Sequence, residues 1–508
     1  MARLRKDGGP SAFLWRRWII LLVSKTVIHV WTFDSRTHSD VIESRAGARP
    51  PFGEISAGPV RDEDVEGRDC LADRQGARAS VKFDIARYLP AILPFALFCV
   101  MAAIYLGGHL ELYFSVIRHY GVRPYVFPFG DTDGTVSALD CYRRGVDVIA
   151  ANPCDSLRRP YNYSPIWLWF AVLPVTREWL QEWGLVTVGL FLASLLLLPR
   201  QRDWNAILIM SAATISTAVF FAVERGNNDL NLFALAALGA TLLTYSYRVR
   251  LVGYALLLLA GLLKYYPLAM MLIAVRERPR RFVFLALASI AITVVLALLN
   301  WGDLSRVLGL IPNGNPLDDF FGSASVGLAI MDELNLSRTG AKWIQIPMCV
   351  AGIWAGVRLG LAERTRVALS LLTERESMFL MIGSLLMIGC FFAAQNVGYR
   401  VLHLLFVLPA LLALRGFAPA WRFRYAPYLV LVVLWHKLLR INALAWGWEF
   451  GGRFGHDAMQ YLACLIREIC LWTLIAVLLG YVVAYVQNSC MWREMMDWAR
   501  MRSGPLTA

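Results

Sequence analysis

From residue 88 to residue 486 the chain alternates long apolar stretches with short polar breaks. Most of the stretches approach the length an α-helix needs to cross a hydrocarbon core, about 20 residues. They lack the two-residue alternation over about 10 residues that marks a strand of a membrane barrel. The pattern predicts spans over 88–106, 185–198, 205–223, 230–245, 251–263, 268–275, 282–300, 343–360, 378–395, 401–414, 428–446 and 461–486. An apolar piece at 165–174 is too short to cross and is expected to dip into the bilayer and return. The fold class is therefore all-α: a polytopic membrane protein of about twelve transmembrane helices. A long first extracytoplasmic loop is expected over 107–163 and a second large one over 301–342. No internal repeat is visible, which argues against the repeat-built transporters.

Composition sharpens this picture. Of 508 residues, 57% are hydrophobic and 17% charged, against roughly 45–50% apolar and 25% charged in a soluble domain. Mean hydropathy is +0.51. A soluble enzyme, a disordered chain and a nucleic-acid-binding domain are excluded. The net charge of +13, from 50 Lys+Arg against 37 Asp+Glu, needs no acidic partner. PRQRDW, RERPRR and the arginines at 248, 250, 364, 366, 415, 422, 424 and 493 all fall on one side of the predicted topology. That side is the cytoplasm by the positive-inside rule. Both ends of the membrane domain are then cytoplasmic, in a plasma (inner) membrane protein.

Residues 1–80 differ from the rest, being rich in Arg, Asp, Gly and Pro. Their one apolar run, 18–31, contains Lys25 and His29 and at about 14 residues is too short to span. It has no small-residue cleavage site, and 32–80 is too polar to bury a core. Translation is expected to begin near Val81, just before KFDIARYLP. The organisation is thus a disordered basic leader (1–80), a membrane domain (81–490) and a cytoplasmic tail (491–508).

Under this topology the unusual polar residues gather on the outer side. The first loop carries DTDG, with Asp131 and Asp133 in a short Gly-flanked turn, and later NPCD and RRPYNYSP, with Arg158, Arg159, Tyr161, Asn162 and Tyr163. Further along come ERGNND (Glu224, Arg225, Asn227, Asn228, Asp229), KYYP (Lys264, Tyr265, Tyr266) and QNVGYR (Asn396, Arg400). Ionisable groups at membrane depth are costly and point to function. Each also has a plainer role: Lys264 as a snorkelling cation, Arg400 as a helix anchor, and Asn227 to Asp229 as a helix cap. Cys141 and Cys154 share the outer loop and are expected either as a disulfide, in an oxidising compartment, or as two buried thiols. The nine cysteines form no CxxC pair or Cys/His cluster, so no structural zinc is expected.

These blocks resemble the multi-spanning glycosyltransferases of the GT-C class. An early Asp in a long outer loop, NPCD and RPYNYSP, then ERGNNDL, LLKYYPL and QNVGYRVLHLLFVLP, are similar in order to family 87 members, relatives of polyprenol-phosphate-mannose-dependent mannosyltransferases. The likeness covers roughly residues 85–480. It implies transfer of a hexose, mannose by default, from a polyprenyl-phosphate donor to a lipid- or glycan-linked acceptor, with inversion. Asp131 or Asp133 would act as general base. Lys264, Arg225 and Arg400 would take the donor phosphate. Tyr161, Asn162, Tyr163, Glu224, Asn228, Tyr266 and Asn396 would contact substrate. The reading requires no metal, and the DTD carboxylates leave a divalent ion open. A flippase or transporter of a lipid-linked sugar, and a non-catalytic assembly partner, are the other readings.

Overall fold

The computed structural model describes residues 85–311, 314–417 and 421–502, and the expectations for residues 1–80 lie outside them. Most described residues are helical. Seven helices among them are long and apolar enough to cross a bilayer: Ile85–Leu106, Arg177–Leu197, Trp204–Arg225, Pro279–Leu299, Thr339–Leu361, Glu374–Ala393 and Ala426–Asn488. Asp229–Leu242, Tyr266–Arg276 and Gly398–Leu414 are shorter apolar helices. Tyr247–Lys264 stands between the first two of these. The chain is a mostly helical, membrane-embedded protein, and each predicted apolar stretch falls on a helix. The 165–174 piece forms one short 3-10 helix, Pro165–Val172.

Local chemistry sets where the helices begin and end. Asp203 accepts a bond from the Ala206 N–H, opening Trp204–Thr214. A capping box joins Thr373 and Glu376 at the start of Glu374–Ala393. Ala426–Asn488 is helical throughout except at Gly452 (φ 56°, ψ −141°), where the chain reverses. The two limbs run back along each other, bringing His436 Nε2 within 3.1 Å of the Ala463 carbonyl. The spans predicted at 428–446 and 461–486 are these limbs.

Burial follows the logic of a bilayer. Glu374–Ala393, Leu404–Leu414 and Asp229–Leu242 form the centre, where Phe379, Phe406 and Phe233 are fully buried. Pro279–Leu299 instead turns Val283, Phe284, Leu287 and Ile290 outward. Exposed apolar area of that extent belongs against lipid. Between Lys342–Leu361 and the second limb, Gly356 and Gly360 face Leu479, Gly480 and Val483 so closely that a Cβ would collide. Small residues commonly let membrane helices approach in this way.

The polar segments are more ordered than their composition suggests. The 107–163 segment contains the helices Leu110–His119 and Gly130–Arg143. DTDG is therefore the first turn of a helix and not an isolated turn. That helix is stabilised from outside its own sequence: the Thr132 hydroxyl donates to the Gly226 carbonyl at 2.7 Å, and Asn228 donates to Thr135 at 3.0 Å. The 301–342 segment carries Trp301–Gly309, Ser325–Glu333 and a two-residue strand, Phe320–Phe321. This strand pairs antiparallel with Asn396–Val397. The tail begins with the helix Cys490–Arg502.

The reversal at Gly452 supplies a test. Its dihedrals lie close to a region that is almost closed to residues with a Cβ, while no atom lies within 4 Å of a Cβ there. Gly452→Ala is expected to destabilise by about 1–3 kcal/mol, purely through the backbone. Gly451→Ala, with equally open space, should match wild type. Equal melting temperatures for the two variants would show that the limbs do not depend on this reversal.

Candidate functional site

Four segments meet at one end of the bundle: the start of Gly130–Arg143, the start of Asp229–Leu242, the end of Tyr247–Lys264 and the Asn396–His403 stretch. Asp229 lies at their centre, with no exposed side-chain surface. Lys264 Nζ is 2.8 Å from its Oδ2 and Arg400 Nε 3.3 Å from the same oxygen. Tyr266 donates its hydroxyl to Asp229 Oδ1 at 2.9 Å and contacts His403 Nε2 at 2.8 Å. Burying charge is tolerated only with such compensation.

Lys264 and Tyr266 reach one carboxylate because of the residue between them. Tyr265 ends its helix at φ 62° and ψ −52°, close to the γ-turn conformation that is rare for a residue with a Cβ. Pro267 follows and starts the next segment. The gap between the predicted spans 251–263 and 268–275 is this turn. Its tyrosine donates to Ser164 Oγ at 3.1 Å, and that hydroxyl in turn donates to the Leu262 carbonyl. Arg400 is steadied by Asn396, whose Oδ1 accepts from Arg400 Nη1 while its amide donates to the Cys390 and Ala394 carbonyls.

Asp131 stands on the other side of Asn227. Asn227 Nδ2 donates to Asp131 Oδ2 at 2.6 Å and to the Tyr399 hydroxyl at 2.9 Å, while its Oδ1 accepts the Asp229 N–H at 2.9 Å. One amide side chain therefore joins the Asp131 carboxylate to the backbone of Asp229. Arg159 approaches Asp131 at 3.5 Å, but its stronger bonds go to Asp155, at 2.8 and 2.9 Å. The Arg159 fork also donates to the Gly130 carbonyl at 2.6 Å. Asp131 keeps 13% of its side chain exposed. Its carboxyl is pushed above the usual range by burial, which outweighs the Asn227 bond and the Arg159 and Lys264 charges. Burial also pushes on Asp155, yet the Arg159 bonds hold it below the usual range.

The site is thus polarised. Two cations share Asp229 at one end, and two carboxylates share Arg159 at the other. Tyr163 lies against the cationic end, with Lys264 Nζ 5.5 Å from its ring centre. A disulfide joins Cys141 and Cys154, tying Gly130–Arg143 to the segment that bears Asp155 and Arg159.

The other sequence candidates sit elsewhere. Asp133 is fully buried, accepting from the Ser156 N–H at 3.0 Å and from Arg177 Nε at 3.2 Å. Arg225 lies 3.3 Å above the Tyr125 ring, pairs with Glu224 at 3.1 Å and donates to the Arg123 carbonyl. Glu224 faces that same pair. Asn228 turns to Thr135, and the Tyr161 hydroxyl is spent on the Ser164 carbonyl. Asn162 is half-buried beside Tyr161 and Tyr163. Arg159, Asn227 and Asp229 stood among the outer polar residues without a role in the site, and Tyr399 and His403 were not named. The helix-capping pattern of Asn227 and Asp229 concealed them.

The raised carboxyl of Asp131 carries a stability consequence. A folded carboxyl that holds its proton more tightly than the unfolded one costs stability at pH above its folded value. That cost fades as pH falls through the folded value and is gone below the unfolded one, about 4. Asp131→Asn is expected to melt above wild type at about pH 7 and to lose this advantage near pH 4. A variant that melts lower at neutral pH would show Asp131 to be a structural anchor. Comparison with known protein families, with curated proteins and with solved structures finds no match to this chain.

Proposed function

We propose that the chain is a membrane glycosyltransferase of GT-C type, transferring a hexose, by default mannose, from a polyprenyl phosphate to a lipid- or glycan-linked acceptor. The reading places twelve crossings in a plasma membrane, both ends of the membrane domain in the cytoplasm and the Asp131–Asp229 site on the extracytoplasmic side. The observation that carries it is the polarised site: a partly exposed carboxylate, Asp131, linked through Asn227 to the backbone N–H of Asp229, whose own carboxylate two cations share.

Such an arrangement suits a single displacement at an anomeric carbon. Asp131 takes the proton of the acceptor hydroxyl as its oxygen bonds to that carbon. A carboxyl raised above its usual range is the stronger base for this. On the far side the bond to the donor phosphate breaks, and the phosphate leaves with the electron pair. Lys264 and Arg400 stabilise its growing charge, Arg400 through its fork and Lys264 as a point charge. The phosphate needs no acid, because it is already a good leaving group. Attack opposite the leaving group inverts the configuration. Arg225 drops out of the phosphate role, being held by Glu224, Tyr125 and Arg123. Asp133 likewise belongs to the framework, since Arg177 and Ser156 enclose it.

Sugar transfer in proteoliposomes tests this reading. Purified chain with radiolabelled polyprenyl-phosphate mannose and host-derived acceptors should transfer label. Asp131→Asn should lose about 10²–10⁴-fold with folding intact, whereas Asp133→Asn should lose stability first. Transfer lost only in a well-folded Asp133→Asn would move the base to Asp133. Movement of labelled lipid between leaflets without transfer to any sugar acceptor would replace the transferase with a flippase.

A further inference from the structure

The site holds one buried ring that takes no part in the transfer proposed above. His403 ends the short 3-10 helix Gly398–His403 and has no exposed surface. Side chains three apart in such a helix stand one above the other, so Arg400 and His403 share a face. From that face Arg400 meets Asp229, its guanidinium 5.5 Å from the centre of the Tyr266 ring, and His403 meets the Tyr266 hydroxyl. The imidazole stacks near-parallel to Phe233 and Phe406, with ring centres 6.3 and 6.4 Å away, which restricts its plane. Its Nδ1 is buried and has no hydrogen-bond partner among the described residues.

Counting hydrogens orders these contacts. A tyrosine hydroxyl has one hydrogen and two lone pairs. With that hydrogen given to Asp229 Oδ1 at 2.9 Å, the 2.8 Å contact with His403 Nε2 must be made by a ring N–H. Were the ring hydrogen on Nδ1 instead, the hydroxyl would have to donate to Nε2. Asp229 would then lose a bond to a charged group, worth more than one between neutral groups, and a buried N–H would stand unmatched. The hydrogen-bond network thus assigns the Nε2–H tautomer. We infer that His403 is a positioning residue of the phosphate site: it donates to Tyr266 and so commits that hydroxyl to Asp229. What the site binds is taken from the transferase reading, on which the inference rests. Bonds in a chain polarise one another, so the donation from His403 strengthens the one from Tyr266 to Asp229. A carboxylate better satisfied at Oδ1 draws less on the two cations at Oδ2. Lys264 and Arg400 then keep more of their charge for an incoming phosphate. Without the imidazole the hydroxyl is free to turn from Oδ1, and Asp229 falls back on those cations.

Two measurements on purified chain test it. Nitrogen NMR of histidine-labelled protein reads the tautomer directly, with the His403 signals identified by their loss in His403→Gln. The expected ring has its hydrogen on Nε2 and a bare Nδ1. The second measurement is the preference for polyprenyl phosphate over the matching polyprenol. His403→Phe keeps an aromatic ring against Phe233 and Phe406 but has no donor, and should cut that preference about fivefold, the worth of one neutral hydrogen bond. A Gln amide can place its N–H where Nε2 stands, whereas that of Asn falls near Nδ1. His403→Gln should therefore keep most of the preference and His403→Asn should not. In a Tyr266→Phe background the three variants should bind alike. A hydrogen on Nδ1, equal preference in the Gln and Asn variants, or a His403 effect that persists without the Tyr266 hydroxyl would each overturn the inference. Wild type with the Nε2–H ring but no preference for the phosphate would count against the transferase reading alone.

Discussion

A carboxylate with no exposed surface stays charged only where opposite charge and hydrogen bonds replace its lost water. Asp229 meets that condition through Lys264, Arg400 and Tyr266, and much of the surrounding architecture serves to deliver those three groups. The strained backbone at Tyr265 turns Lys264 and Tyr266 onto one residue. The strand pair of Phe320–Phe321 with Asn396–Val397 fixes the segment from which Asn396 braces Arg400. Lys437, 2.5 Å from Asp319, and Arg440, paired with Asp318, fasten the chain just before that strand to the long helical hairpin. Removing one partner from a buried pair of this kind costs about 3–5 kcal/mol. The cluster therefore couples the second polar segment to the centre of the bundle.

The same interaction gives the site its direction. Asp229 offsets one of its two cations and leaves the other in excess, whereas Arg159 is shared by Asp155 and Asp131 and leaves negative charge in excess. Asn227 links the two ends, bonding the Asp131 carboxylate and the Asp229 backbone N–H. A low-dielectric setting strengthens both fields, and in the proposed transfer neither would have to reorganise as charge moved from the attacking hydroxyl to the departing phosphate. The lipid-borne donor of the proposed reaction would suit a site set within helices, because its tail could approach sideways through the bilayer.

The helical framework was largely legible in the chain. Apolar length located each of the seven described helices that are long enough to cross a bilayer. The polar segments were less legible. Gly130–Arg143 has no apolar periodicity, and its stabilising partners at Gly226 and Asn228 lie 94 and 93 residues away. Lys264, Arg400 and Asp131 were visible as charges in unexpected places. Asp131 and Asp133 are two residues apart on one helical turn, so only their different neighbours distinguish them. Asn227 and Asp229 read as an ordinary cap, a role that only Asn227 approaches, by accepting the Asp229 N–H. Arg225 looked equivalent to Lys264 in sequence, yet its contacts are Glu224, the Tyr125 ring and the Arg123 carbonyl.

The most direct test of the central claim is the affinity of purified chain for sugar-free polyprenyl phosphate against the matching polyprenol. If the excess charge around Asp229 seats a lipid phosphate, the phosphate should bind more tightly by about tenfold to a hundredfold, the worth of a charged hydrogen bond. Arg400→Gln should erase most of that difference, and Arg225→Gln should leave it intact. Equal affinity for the two lipids, or a loss in Arg225→Gln alone, would contradict the account.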